Sequence, residues 1–531
     1  MVNYYFSLQY SAIQKTVLRH DRLWSIAGIS NTLAKLNEID LPTIAGEHDG
    51  VAIVAGGGKF TARFQDEDKA EAARKACEKC LATTLPMLEF QISNTIWPGI
   101  SFNTLAKEGN PAIEELKEQK RSFRGYALSF NPHLKLCEEC GEYPAQKKIV
   151  RLEDEKNDCR IAKLKEKSDN KVNRKESVKD VCRICHAAFE ESKKIFHTQK
   201  AETTLQKIYQ GYIDAVPPSA KRNMPPADFK DLFPDTPDER KRMAVWFSDL
   251  NNMNDKVQVW LKQENEDNVL KTFDEFRSTV VDIIVSALVR TFNKPVGKYL
   301  PFRLVVAGGD DLCLVMAEKK ILNFTQNISA ALNEVVADLE ENNPVHPLTE
   351  QGLRILSKEE SYSPKPFGFG GSFVVTSIHT PFSLIHQVGE ELMSKAKKET
   401  ERQGNSVNWR VMAEETSVTD DLLSFERPLF IEKTDRDKDP HGRLSFNDYL
   451  ALRNTYNEIS GSHMQQIVAI MQQEKNPHEL DHHLKLLDAN EADKSFSPLL
   501  RDEKFRDAEG VLMPERIATL FELLTIGGGE E

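Results

Sequence analysis

No run of apolar residues in this 531-residue chain reaches the roughly 18 to 20 that a bilayer-spanning helix needs. The opening MVNYYFSLQYSAIQKT also lacks the charged segment, apolar segment and cleavage site of a secretory leader. The expectation is a cytoplasmic protein with no membrane role. Basic charge is in short supply as well: 70 Lys and Arg against 82 Asp and Glu give a net charge of −12, which argues against a surface that grips nucleic-acid phosphates over most of its area. Any RNA it works on is expected to be held largely by partners. Cysteine is sparse, 8 residues, and in a reducing compartment disulfides are not expected, so the cysteines need another reading. What the chain does have is 40 % hydrophobic residues over a length that suits three or four domains with substantial cores.

The string FRLVVAGGDDLCLVMAEK, Phe302 to Lys319, sets two adjacent aspartates between two apolar runs that read as antiparallel strands joined at a tight turn. Gly308 and Gly309 permit positive φ there and let a phosphate or another backbone approach closely. A carboxylate pair at a buried turn is unfavourable unless a cation compensates it, which suggests a divalent metal. An Asx-type hairpin turn is the plainer alternative.

An internal repeat bears on that choice. VAIVAGGGKFTARF (Val51 to Phe64) lies on RLVVAGGDDLCLVM (Arg303 to Met316), so that Gly58 matches Asp310 and Lys59 matches Asp311. Upstream, NYYFSLQYS (Asn3 to Ser11) and AVWFSDLNNMN (Ala244 to Asn254) share Phe-Ser, which sets Leu8 against Asp249. Each copy continues as strand, helix, hairpin, helix, strand, the β-α-β-β-α-β order of a ferredoxin-like unit. In that order the first strand neighbours the hairpin, so Asp249 can face Asp310 and Asp311, a geometry suited to two-metal nucleotidyl transfer. Consecutive strand residues face opposite sides, so both aspartates of the turn can serve one site only if the turn is irregular.

Together the GGDD hairpin, SDLNNM and the degenerate first copy resemble the large subunit of type III CRISPR effector complexes, of the Cmr type and without the N-terminal His-Asp nuclease domain, whose palm domains are related to GGDEF cyclases. The resemblance implies an α+β protein with two ferredoxin-like palm domains, a zinc-binding helical insert and a C-terminal helical domain. It implies that, when the complex holds CRISPR RNA and target RNA, the second palm uses ATP and two Mg²⁺ or Mn²⁺ ions to make a nucleotide second messenger, a cyclic oligoadenylate or a related adenylate product, for antiviral defence. Other effector subunits and a downstream effector that reads the signal are the implied partners. By the same resemblance Asp249, Asp310 and Asp311 would be catalytic, with Asp249 and Asp311 as metal ligands. Gly308, Gly309, Asn251, Ser372 and Lys397 would meet the nucleotide, Asn251 standing where many relatives carry a second aspartate. A free-standing GGDEF-type cyclase and a non-enzymatic scaffold with a relic palm are the alternatives.

Cysteines give a second signal. CEECGEYPA (Cys137, Cys140) and CRICH (Cys182, Cys185) form two CxxC knuckles, read as a structural zinc site with four thiolates and no open coordination position. His186 is the less favoured ligand, Cys159 a bystander, and Cys77 and Cys80 one face of a helix. GGGKF (Gly56 to Phe60) fails as a phosphate loop, because Ile53 and Phe60 stand where glycine and Ser or Thr are needed. His20-Asp21 and ELDHH (Glu479 to His483) read as helix-surface polar residues, and His478 adds no partner motif. With no room ahead of Asn3 for a nuclease domain, DNA cleavage is not expected. Landmarks divide the chain into a degenerate first palm at 1–115, a zinc-bearing helical segment at 116–225, the GGDD palm at 226–415 and a helical part at 416–531, with the Pro-rich stretch from Ala215 to Glu239 as a linker.

Overall fold

The computed structural model describes residues 2–11, 17, 22–56, 58–85, 89–93, 96–99, 135–141, 143–154, 158–160, 174–194, 201–216, 225–226, 228–233, 241–261, 263, 266–292, 299–358, 361–412, 425–432, 439, 441–474, 476–490 and 497–527. His20, Asp21 and most of the Pro-rich stretch lie outside these residues. Strands β1 (Asn3–Ser11), β2 (Val51–Gly56), β3 (Lys59–Phe64) and β4 (Glu89–Ile92) form the first sheet in the order β2-β3-β1-β4, with β5 (Trp97–Gly99) also paired to β1. A small sheet, β7-β6-β8, joins β6 (Lys147–Asp154), β7 (Asp158–Arg160) and β8 (Arg174–Val181). The second large sheet runs β10-β11-β9-β12-β13-β14, from β9 (Arg242–Leu250), β10 (Phe302–Gly308), β11 (Asp311–Ala317), β12 (Phe369–Ser377), β13 (Ser406–Val411) and β14 (Leu429–Phe430). In both large sheets the opening strand lies between the hairpin and the fourth strand, and helices join them in β-α-β-β-α-β order. None of the described helices is long and apolar enough to cross a membrane.

The second sheet is buried on both faces, which is why its strands read as near-continuous apolar runs. Trp246, Leu304, Leu314 and Phe373 pack with Ile283 and Ile284 of the helix Glu266–Thr291 and with Ile328 and Leu332 of the helix Ile321–Asn342. Val245, Phe247, Cys313 and Val374 turn the other way, toward Ile385 and Val388 of the helix Phe382–Glu399. Beyond β14 the named elements among the described residues are helices, and a buried Glu426 accepts from Arg516 Nε at 2.8 Å and from the Tyr449 hydroxyl at 2.5 Å.

The two copies match in detail. Each hairpin slips register at the same place, between Ala52 and Val54 in one and between Leu304 and Val306 in the other. Tyr10 N donates to Gly58 O at 2.8 Å, as Leu250 N donates to Asp310 O at 3.2 Å. The ladder corrects one sequence match. Gln9 pairs with Lys59 as Asp249 pairs with Asp311, so Gln9 rather than Leu8 is the counterpart of Asp249. The shared Phe-Ser letters had set the alignment one residue off; backbone pairing decides it, and Leu8 instead faces the core at 1 % exposure.

The helix Leu23–Lys35 is buried from Leu23 to Leu33, because it packs against the helix Arg183–Lys194 and also against β10 of the second copy. Reciprocally, the helix Glu266–Thr291 packs on β2, where Arg277 Nη1 donates to Ala55 O at 2.9 Å. The first of these helices approaches its neighbour through Gly28: a Cβ there would stand 2.0 Å from Ala188 O, and Trp24 meets Phe189 edge-on at 5.2 Å. Gly28→Val should therefore destabilise the protein by about 1–3 kcal/mol. Gly46→Ala, at a helical glycine with nothing within 4 Å, should be neutral or stabilising. Thermal denaturation of both variants checks this, and equal midpoints would contradict the close packing.

Candidate active site and metal centre

Asp249 stands near the end of β9, paired with Asp311 of β11 on one side and with Gly370 of β12 on the other. The hairpin closes on the pair Gly308 and Asp311, so Gly309 and Asp310 form the turn itself, with Gly309 at φ +64°. Asp310 is thereby released from strand alternation, the irregularity that a shared site requires. Carboxylate oxygens of Asp249, Asp310 and Asp311 all lie within 4.8 Å of one another, with Asp311 the most exposed of the three residues. Two metal–oxygen bonds of about 2.1–2.4 Å span no more than that, so the three can hold a divalent cation between them.

The electrostatics agree. Loss of hydration, then the charge of Asp249, pushes Asp310 up to about 6. Asp311 is raised well above the usual carboxylate range by loss of hydration and by Asp310, Asp249 and Glu390, with Lys397 opposing. Such a cluster calls for positive charge. Lys397 supplies one: its ammonium donates to Asp249 Oδ2 from the end of the helix Phe382–Glu399.

Two other residues singled out in the sequence, Asn251 and Ser372, donate to backbone carbonyls. Asn251 Nδ2 donates to Gly404 O at 2.9 Å, tying the end of β9 to the end of the loop that leads into β13, while its Oδ1 is buried without a partner. The Ser372 hydroxyl donates to Gly389 O at 2.7 Å and so holds the helix Phe382–Glu399 against β12. Open space surrounds the Cα of Gly308, where nothing lies within 4 Å of an added Cβ. Sequence reasoning missed Gly370, Gly389, Glu390 and Lys256. Lys256 is buried, burial lowers it to about 8, and it donates weakly to Asn251 O and Lys365 O, each at 3.4 Å. A shallow cleft opens beside the aspartates, walled by Ser248, Leu250, Ile283, Leu332 and Phe369.

The cysteine knuckles converge. Cys137, Cys140, Cys182 and Cys185 place all four sulfurs within 4.8 Å of one another, and Cys140 Sγ and Cys182 Sγ are 3.9 Å apart. A tetrahedron of ~2.3 Å zinc–sulfur bonds has an edge of about 3.8 Å, so the set fits zinc. Gly141, at φ +70°, donates to Cys137 O at 2.8 Å and turns the first knuckle; the second opens the helix Arg183–Lys194, where Cys185 N donates to Cys182 Sγ at 3.4 Å. Contact with Cys140 pushes the Cys182 thiol up to about 12, so a cation beside it is what would let it ionise. His186 contributes a backbone bond to Cys182 O and is not part of the cluster. Cys77 and Cys80 stay on one helix with no third ligand among the described residues. Asp481, in ELDHH, accepts from Lys485 and Arg506 at 2.7 and 2.8 Å, and His483 lies 3.9 Å from Glu474, the surface pairing expected of that string.

Two outcomes follow. Cys137→Ser with Cys182→Ser should release about one zinc per chain and lower the melting temperature, read by elemental analysis and calorimetry; a wild type without zinc would contradict it. Asp310, raised to about 6 in the folded chain against an ordinary value near 3.9, binds more protons folded than unfolded between about pH 4 and 6. Stability in chelator should therefore fall as pH rises across that window. Asp310→Asn should flatten the fall and gain on the order of 2 kcal/mol at pH 7.5 in urea titrations.

No family model matches the chain, and no curated protein matches it by sequence. Solved structures do. Csm1 of T. onnurineus matches with a TM-score of 0.52 at 13% identity, over 99% of this chain and 70% of that one. The Csm1–Csm4 subcomplex in the type III-A CRISPR-Csm interference complex matches with a TM-score of 0.50 at 13% identity, over 99% and 70%. The Csm1–Csm4 cassette in complex with cA3 matches with a TM-score of 0.50 at 13% identity, over 99% and 69%. These neighbours are Csm proteins, whereas the sequence motifs suggested the Cmr type. At such identity what the chain shares with them is the fold.

Proposed function

We propose that this chain is the large subunit of a type III CRISPR effector complex and that its second palm joins ATP units into an oligoadenylate signal. The observation that carries the reading is the convergence of Asp249, Asp310 and Asp311 on one cation-sized space at the turn of a palm hairpin. The neighbour that holds cA3 has this fold along 99% of the chain, which supports the nucleotide class. The neighbouring Csm1–Csm4 assemblies support effector subunits as partners.

In the proposed reaction a ribose 3'-oxygen attacks the α-phosphorus of a second ATP. The new O–P bond forms as the bond to the β-phosphate oxygen breaks, pyrophosphate leaves, and the hydroxyl proton passes to solvent or a carboxylate. Two Mg²⁺ or Mn²⁺ ions would supply activation of the hydroxyl and neutralisation of the triphosphate. Asp249 and Asp311, on adjacent strands, would hold that charge, with Asp310 completing the set from the turn. The open space at Gly308 leaves room for phosphate, and Leu250, Phe369 and Leu332 give the cleft beside it an apolar wall against which a purine base could lie. Residues 1–115 then form the palm without the charged set, 226–415 the active one, and the Cys137, Cys140, Cys182 and Cys185 zinc braces the segment between them.

Replacing Asp310 and Asp311 together by alanine should leave assembly intact and cut product formation by at least ~100-fold, because the flanking strands keep their apolar packing while the turn loses its charge. The assay is mass spectrometry of nucleotides made from ATP and Mn²⁺ by the complex holding target RNA. Undiminished product would remove the palm from the mechanism.

A further inference from the structure

The helix Phe382–Glu399 packs closely on its sheet at Gly389. A Cβ at Gly389 would come within 2.3 Å of the Phe247 ring, and the Ser372 hydroxyl holds Gly389 O at 2.7 Å. At that height the Lys397 stem crosses β12 at Gly370, where a Cβ would stand 2.2 Å from Lys397 Cγ and 3.0 Å from its Cε. Gly370 is the residue paired with Asp249. A glycine notch thus conducts a lysine side chain that is 9 % exposed onto an oxygen of the three-carboxylate cluster.

This is no loose surface pair. The ammonium neutralises one of three crowded carboxylates, and a divalent cation held by the cluster would draw on the same Asp249 carboxylate. Two cations on one carboxylate oppose each other by charge. Once displaced, the ammonium is a poorly hydrated charge lacking an anion, and a nucleotide arriving at the same turn brings phosphates. We propose that Lys397 is a tethered counter-cation that exchanges Asp249 for the phosphates of the nucleotide, so that metal and nucleotide bind co-operatively, each aiding the other by the same factor. Gly370 is the positioning residue that makes the exchange possible. The inference rests on the two-metal reading of the aspartates given above.

The test measures Mn²⁺ binding to the purified full chain by electron paramagnetic resonance, without nucleotide, and then binding of α,β-methylene-ATP at fixed Mn²⁺. Lys397→Met should tighten nucleotide-free Mn²⁺ binding on the order of tenfold and weaken binding of the analogue. Lys397→Arg, which keeps the charge, should leave Mn²⁺ binding near that of the wild type. Circular dichroism confirms that each variant is folded. A lysine that serves only packing would weaken both ligands, so Mn²⁺ affinity unchanged or lowered in Lys397→Met overturns the exchange. If instead Mn²⁺ binds wild type and Asp249→Asn alike, the two-metal reading itself fails.

Discussion

Three carboxylates confined to the reach of a single cation repel one another, and the surrounding fold is what keeps them together. The cost is visible in Asp310 and Asp311, both of which resist ionisation. Strands on either side are paired along their length and packed on both faces, from Trp246 against Phe324 at 5.5 Å on one side to Phe247 against Val388 and its neighbours on the other. Because the pairing is continuous up to Asp311, the turn cannot open to relieve the repulsion without losing that core. The charge is answered in part by the Lys397 ammonium rather than by movement.

The first copy shows which part of this arrangement belongs to folding. It keeps the hairpin, the register slip, the backbone bond into the turn and the strand order, while Gln9, Gly58 and Lys59 replace the three aspartates. A hairpin of this shape therefore forms without a carboxylate cluster, and the cluster in the second copy adds cost without adding structure. The copies also brace each other, one helix from each lying on the hairpin edge of the other, through Arg277 and Ala55 in one direction. This exchange anchors β10, and with it Gly308, to the helix that the cysteine-bearing segment grips at Gly28.

What the chain revealed in advance were features written within a few residues of one another. The Gly-Gly-Asp-Asp turn and the two CxxC knuckles announce themselves because tight turns and metal ligands need particular residue types at fixed short spacing. The repeat was legible for the same reason, yet the match of Leu8 to Asp249 slipped by one, since letters in a strand carry no record of which residue the ladder sets opposite them. The resemblance sets Asn251 and Ser372 beside a nucleotide, and in the fold their amide and hydroxyl also hold Gly404 and Gly389. Gly370 and Glu390 gave no signal, because their place depends on a helix settling onto a strand that is remote in the sequence, and a glycine needed for clearance looks like any other.

Two clusters of side chains with the spacing to hold a cation thus sit in one chain with opposite characters. Among the cysteines, Cys137, Cys182 and Cys185 are buried, and four sulfurs share one tetrahedral space, so a cation bound there has its coordination filled by protein. Asp249, Asp310 and Asp311 leave Asp311 at the surface, open space at Gly308 and a cleft alongside. Three oxygens cannot fill the six or more positions of a hard divalent cation, and the remainder must come from water or an incoming ligand. A closed soft site suits bracing and an open hard site suits exchange, and it is the open one that the apolar sheet, the glycine notch and the lysine surround.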